Sequence, residues 1–251
     1  MPSVLKAISG QIKSLTGSDR VQIDGQTIPS AHLRFGGANF ADDAVFLKTG
    51  QTEAKRLEND FGLNDQSRVL EIGCGTGRLP IGILSTVGDI AVYRGVDVSQ
   101  TAINWCKRHI QKRHPNFRFL HINVRNDRYN PKGRKELKDN VLPFDDKSFD
   151  VIYLYSVFSH LSEEDVNEYL AEFKRVLTPG GKVFVTLFVE DDVPSFEENP
   201  SDYKQEWKGA LHCVRFEKNH FESLVRKHDL TIDTLHYGTE TDGQSAYYLS
   251  S

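Results

Sequence analysis

From Val69 onward, short apolar runs alternate with stretches whose apolar residues are spaced for one face of a helix. Val69-Leu70-Glu71-Ile72 has the pattern of a strand covered on both faces. Leu79, Pro80, Ile81, Ile83 and Leu84 follow as a helix, with Pro80 tolerable in the first turn. Tyr93 to Asp97 reads as a second strand. Ser99 then caps a helix carrying Ala102, Ile103, Cys106 and Ile110 on one face and ending at His114-Pro115. Phe117 to Ile122 is a third strand, Val151 to Val157 a fourth and Lys182 to Phe188 a fifth. Between the last two, Ser162 caps a helix with Glu163, Glu164 and Asp165 in its first turn and a buried stripe of Val166, Tyr169, Leu170, Phe173 and Leu177. Phe216 to His228 reads as a last helix, and Leu230 to Tyr237 with Ser245 to Leu249 as a closing hairpin. Strand-helix alternation marks an α/β protein with a doubly wound sheet. Seven strands are expected, mostly parallel, with the last antiparallel.

Two segments stand outside this alternation. In residues 1–60, Val4, Ile8, Ile12 and Leu15 are spaced for a short amphipathic helix. Val21 to Ile28 suits a small hairpin around Asp24-Gly25. Phe35 to Phe40 reads as a loop, and Phe46 to Gly50 leads into a helix through Leu57 and Phe61. The second segment, 190–215, is acidic and aromatic, with Phe196, Tyr203 and Trp207. The expected organisation is one domain over 1–251, with 1–60 and 190–215 as cap segments around a hinge at Gly36-Gly37. The alternative is that their aromatics simply pack on the sheet.

Composition narrows the class. With 38% hydrophobic and 26% charged residues the chain is an ordinary globular one. A net charge of -4 and a pI near 6.1 give no footprint for nucleic acid. No apolar run reaches the ~20 residues of a membrane span, and no signal-peptide core opens the chain, so the expected location is cytoplasmic. Cys74, Cys106 and Cys213 are odd in number and widely spaced, which argues against a disulfide framework or a metal site. The basic connection 125–146 suits either an anionic substrate or, more simply, a solvated loop.

Candidate chemistry centres on Glu71-Ile72-Gly73-Cys74-Gly75-Thr76-Gly77, where glycines permit a sharp turn and close approach of a ligand to the backbone. Cys74 supplies a small side chain within the turn. Twenty residues after Gly77, Asp97 closes the second strand, a position from which a carboxylate accepts ribose hydroxyls. A dinucleotide fingerprint would need glycine where Arg78 stands, which weakens a nicotinamide-dependent oxidoreductase reading. The E-x-G-x-G-x-G pattern resembles motif I of the class I S-adenosylmethionine-dependent methyltransferases. Leu142-Pro143-Phe144, Ser148-Phe149-Asp150 and Arg175-Val176-Leu177-Thr178-Pro179-Gly180-Gly181 are similar to further signatures of that family, so the resemblance covers roughly 46–250.

The resemblance implies a Rossmann-like methyltransferase fold and S-adenosylmethionine as cofactor. It implies that Glu71 orders the loop or meets the methionine part, and that Gly73, Cys74, Gly75 and Gly77 line the site with Asp97 and Val98. Asn123 and Val124 take the adenine position, Asn123 replacing the commoner Asp, and Ser156 to His160 face the methionine and the acceptor. His160 is the leading general-base candidate because its ordinary pKa of about 6.5 lies near working pH; orienting a loop or capping a helix is its alternative role. Tyr155, His212 and Asp127 are weaker candidates. Tyr155-Ser156-Val157-Phe158 stands where nucleobase amino methyltransferases carry a Pro-Pro tetrapeptide. That and the acidic pI point to a small-molecule acceptor methylated on O, N or C, with no nucleic-acid or membrane partner. A protein acceptor and a catalytically silent cofactor-binding module are the alternatives.

Overall fold

A computed structural model describes residues 18–134, 142–203 and 209–251. Strands β1 (Arg20–Ile23) and β2 (Gln26–Pro29) form the expected hairpin, with Asp24 and Gly25 both at positive φ. Helix α1 (Asp43–Phe61) starts where the Asp42 carboxylate accepts from the Val45 amide and stops at left-handed Gly62. It buries Phe46, Leu47, Gly50, Glu53, Ala54, Leu57 and Phe61, a single face at helical spacing. The helix expected around Val4 to Leu15 lies outside the described residues.

The strand-helix alternation follows as β3 (Arg68–Ile72), α2 (Arg78–Thr86), β4 (Val92–Asp97), α3 (Gln100–Cys106) and β5 (Phe117–His121). After the basic connection come β6 (Phe149–Leu154), α4 (Glu163–Val176) and β7 (Leu177–Glu190). The chain ends in β8 (Phe196–Glu198), β9 (Val214–Glu217), α5 (Lys218–Lys227), β10 (Thr231–His236) and β11 (Ser245–Ser250). The sheet runs β10-β11-β7-β6-β3-β4-β5. Strands β5, β4, β3, β6 and β7 are mutually parallel, and β11 is antiparallel to β7 and β10. Leu57, Ile83 and Ile103 of α1 to α3 belong to the core on one face, and Leu170, Phe173, Phe221 and Val225 of α4 and α5 to that on the other. The doubly wound α/β expectation stands.

Four details differ from the sequence reading. The path has its seven strands, but β9 adds parallel to the far end of β7 and β8 adds antiparallel to β9, so part of 190–215 is sheet. The last helix begins at Lys218 rather than Phe216, because Arg215 and Phe216 pair with Phe188 and Val189. The fourth strand ends at Leu154, not Val157: Ser156 has φ +56°, and its amide donates to Thr186 Oγ1 at 2.7 Å instead of a strand carbonyl. The Leu177 to Gly181 turn is absorbed into β7 as a register break, Leu177 facing Phe149 and Lys182 facing Val151. Among the described residues no helix is long and apolar enough to cross a membrane.

Candidate active site

A cavity of about 660 Å³ opens over the carboxyl ends of β3, β4, β5 and β6. Between β3 and β6 the strand order reverses, the place where open α/β sheets bind ligands. The glycine turn is tied to the sheet by backbone bonds: the Gly73 and Cys74 amides donate to the Val96 carbonyl at 2.8 and 3.1 Å. Asp97 closes it from the side. One of its carboxylate oxygens accepts from the Gly75 amide and the other from the Ser99 amide, each at 2.7 Å. Burial pushes its carboxyl up while those amides pull it down. Each oxygen keeps a second lone pair for a hydroxyl donor.

Of the residues singled out in the sequence, Glu71, Gly73, Cys74, Gly75, Asp97, Val98, Val124, Ser156 and His160 line the cavity. Gly77 and Asn123 are not among its lining residues. Gly77 faces the end of α3 and the helical turn Lys107–Gln111 that continues it: a Cβ there would meet Ile110 Cδ1 at 2.7 Å and Cys106 Sγ at 3.3 Å, so the missing side chain serves packing. The Asn123 side chain turns to its own loop and accepts from Asn130 Nδ2 at 3.1 Å. Buried Asn126 stands at the cavity instead, accepting from the Arg128 and Tyr129 amides and donating to the His160 carbonyl at 3.0 Å.

Two side chains have chemistry set by burial. The Glu71 carboxyl accepts from the Tyr93 hydroxyl, and burial pushes its pKa up to about 8. His160 shifts the other way, to about 4, through burial and the charge of Arg128. Its Nδ1 lies 3.2 Å from the Leu211 carbonyl, which only accepts, so Nδ1 carries the proton and Nε2 is the basic nitrogen. Behind it, Gln244 Nε2 donates to Ser156 Oγ at 2.8 Å and Thr186 Oγ1 donates to Gln244 Oε1 at 2.9 Å. Among the weaker candidates, Tyr155 bonds Glu240 and Thr241, and Asp127, not itself a lining residue, pairs with Arg125, which lines the cavity.

A second cavity of about 490 Å³ adjoins the first and shares Ser156, His160, His212 and Asp242 with it. Its other wall comes from the ends of β7 and from Asp202, Tyr203 and Cys213. Of the aromatics expected in the caps, Phe35 and Phe40 line the first cavity and Tyr203 the second. Phe196 packs edge-on against Phe216 within the strands, and Trp207 lies outside the described residues. Sequence reasoning missed Arg34, Arg78, Tyr169 and Asp242, and had Arg128 only as part of the basic connection 125–146. Arg78 could have been flagged by its place directly after the third glycine; Asp242 comes from the β10–β11 turn, which only chain closure brings here.

Residues 69–181 match a family model described as a methyltransferase domain. A demethylmenaquinone methyltransferase of Staphylococcus saprophyticus is 27% identical over 157 residues, 62% of this chain and 60% of that protein. A fatty-acid O-methyltransferase of Mycolicibacterium smegmatis is 32% identical over 184 residues, 64% of this chain and 59% of that protein. The chain thus spans about three fifths of the length of these curated relatives. The magnesium protoporphyrin IX methyltransferase of Synechocystis, solved with bound S-adenosylmethionine, superposes with TM-score 0.55 at 12% identity, covering 96% of this chain and 90% of that one. That likeness concerns the fold. Residues 69–181 are thus similar to a methyltransferase domain, and with the glycine turn, Asp97 and the sheet order the chain resembles the class I S-adenosylmethionine-dependent methyltransferases.

Proposed function

We propose that the chain transfers the methyl group of S-adenosylmethionine to an O, N or C atom of a small-molecule acceptor. The observation that carries this reading is the pair of adjoining cavities, one framed by the glycine turn and Asp97, the other reached past His160. The residues present fit the cofactor. The first cavity is of the size that small-ligand sites have, roughly 300–1,000 Å³, and exposed Gly73 offers bare backbone at φ +74°. Asp97 would hold the ribose, Val98 and Val124 the nucleoside, and Gly73, Gly75, Glu71 and Ser156 the methionine part. When bound, the cofactor supplies a methyl on a sulfonium and a neutral leaving group. The chain's share is to align the acceptor with that methyl and to exclude water, and His160 Nε2 stands ready to take the acceptor's proton. The relatives' names support an acceptor of small-molecule type.

In the same reading the chain is one methyltransferase domain, with 1–60 and 190–215 as cap segments. Arg34 supports the first cap: it donates to the Pro29 and Phe40 carbonyls at 2.9 and 2.7 Å and pairs with Asp43, holding Phe35 and Phe40 over the glycine turn. The donor site is tested by Asp97→Ala, expected to weaken S-adenosylmethionine by roughly 1.5–3 kcal/mol. Unchanged affinity by calorimetry would move the ribose elsewhere. The reaction is tested with isotopically labelled donor and a metabolite extract, reading methyl gain by mass spectrometry; no gain across varied extracts would leave a binding module.

A further inference from the structure

Ser156 lines both cavities, and a buried polar cluster of Ser159, Thr186 and Gln244 is gathered around it. The Ser156 backbone is left-handed, at φ +56°, a conformation that is costly for a residue other than glycine and persists where its surroundings enforce it. Separate elements supply those surroundings. Thr186 belongs to β7, Gln244 directly precedes β11, and Ser159 lies in the short turn Phe158–His160 after β6. None of the three side chains is more than 3% exposed. Gln244 is held by its backbone as well, its amide donating to the Thr241 carbonyl and its carbonyl accepting from the Glu240 amide. It lines the second cavity.

Hydrogen-bond accounting fixes where the hydrogens go. Thr186 Oγ1 accepts from the Ser156 amide at 2.7 Å, and its own buried hydrogen needs an acceptor. The oxygen end of the Gln244 amide therefore faces Thr186, at 2.9 Å, and the nitrogen end donates to Ser156 Oγ at 2.8 Å. Fully buried Ser159 Oγ has Ser156 Oγ, 3.1 Å away, as its hydrogen-bond partner among the described residues, so it donates there. Two donors then fill both lone pairs of Ser156 Oγ. Its own hydrogen has no acceptor among the described residues and is left for a group at the junction of the cavities. We propose that the Ser156 hydroxyl recognises the methyl acceptor by donating to a carbonyl or ionised oxygen of that molecule. A donor aimed at the nucleophilic atom would hold back its lone pair, so this oxygen is distinct from the atom methylated. Ser159, Thr186 and Gln244 are positioning residues that act through Ser156. The acceptor class is narrowed to molecules with such an oxygen and an apolar part to meet Phe188 and Tyr203 in the second cavity. The proposal deepens the methyltransferase reading and rests on it for the identity of the ligand as acceptor.

Acetophenone and α-methylstyrene share one shape and differ in a carbonyl against a methylene. Titrating each by NMR into protein saturated with S-adenosylhomocysteine reads the donor directly. The wild type should prefer acetophenone about 3- to 10-fold, the scale of one neutral hydrogen bond. Ser156→Ala should abolish the preference and leave the S-adenosylhomocysteine affinity, measured by calorimetry, unchanged. Gln244→Glu keeps the shape and reverses the bond: an ionised carboxylate accepts from Ser156 and takes its hydrogen away. The preference should vanish at high pH in that variant and return once acidification protonates the carboxylate, a dependence that mere packing would not produce. Ser159→Ala should keep the preference. Equal binding of the two probes by the wild type, or no binding of acetophenone, would overturn the proposal. So would a preference that appears only in Ser159→Ala, which would mean that Ser156 donates to Ser159. Loss of S-adenosylhomocysteine affinity in Ser156→Ala with the acetophenone preference kept would also overturn it, assigning the hydroxyl to the cofactor. Failure of the wild type to bind S-adenosylhomocysteine, with a Ser156-dependent acetophenone preference intact in its absence, would instead overturn the methyltransferase reading.

Discussion

His160 shows how one side chain's surroundings set its chemistry. The Leu211 carbonyl holds the proton on Nδ1, while burial and Arg128 oppose a second proton and bring the pKa to about 4. The ring is therefore neutral through the working range, which a base requires, although it is a weaker base than free histidine. Replacing it with Ala should cost about 10²–10⁴-fold in turnover if it takes the acceptor's proton. The acid limb of the rate profile should fall near pH 4 rather than near the ordinary 6.5. Stability follows the same sign. Between pH 6.5 and 4 the unfolded chain binds a proton there that the folded chain refuses, so stability declines as pH falls through that window and is unaffected above it. His160→Gln should remove that part of the decline. Near-normal turnover in the Ala variant, with donor binding intact, would leave His160 a role in orienting its loop.

At the scale of elements, α4 couples the core to the site. Ser162 Oγ accepts from the Asp165 amide, three acidic residues occupy the first turn, and Lys174 and Arg175 sit in the last. Charge at both ends matches the helix dipole, and the stripe Val166, Tyr169, Leu170, Phe173 and Val176 is buried. Ser162 lies two residues beyond His160, so the same cap fixes where the loop after β6 ends. Ser162→Ala should cost about 1 kcal/mol of stability, which for a chain of this size lowers the melting temperature by roughly 2–4 °C. Scanning calorimetry measures it, and an unchanged melting temperature would mean that the cap contributes nothing beyond water. The 190–215 region has a different clasp. Nearly buried Arg215 reaches Glu190, Glu197 and Asp202 and lies under the Tyr203 ring, joining the end of β7 to the chain around β8.

For the whole molecule, the question is whether the two proposed cap segments move. Phe35 is about half exposed over the glycine turn, and Gly36 beside it has φ +112°. The described part of 190–215 is partly sheet, which predicts a more rigid segment than 31–42. Backbone amides of 31–42 should therefore exchange quickly in the free protein and slow when S-adenosylhomocysteine binds. Those around β8 and β9 should change less, with the response confined to Asp202, Tyr203 and 209–213. Equal protection in 31–42 with and without ligand would make both segments fixed walls.

The sequence by itself determined the order and type of the elements on the seven-strand path, the glycine turn, and Asp97 as the acid beside it. These are local features: a buried run, a helical stripe or a capping serine acts over one or two turns, and the chain carries each in consecutive residues. The tertiary structure decided what meets across the sheet. It turned Gly77 and Asn123 away, because α3 packs on one and Asn130 claims the other. It ended the fourth strand early through Thr186, thirty residues on in the chain, and gave the hydrogen bond to Ser156. It also brought Arg78 under Phe40 by pressing Gly82 against Gly50. No periodicity within either helix encodes that contact, since it depends on the crossing of two helices.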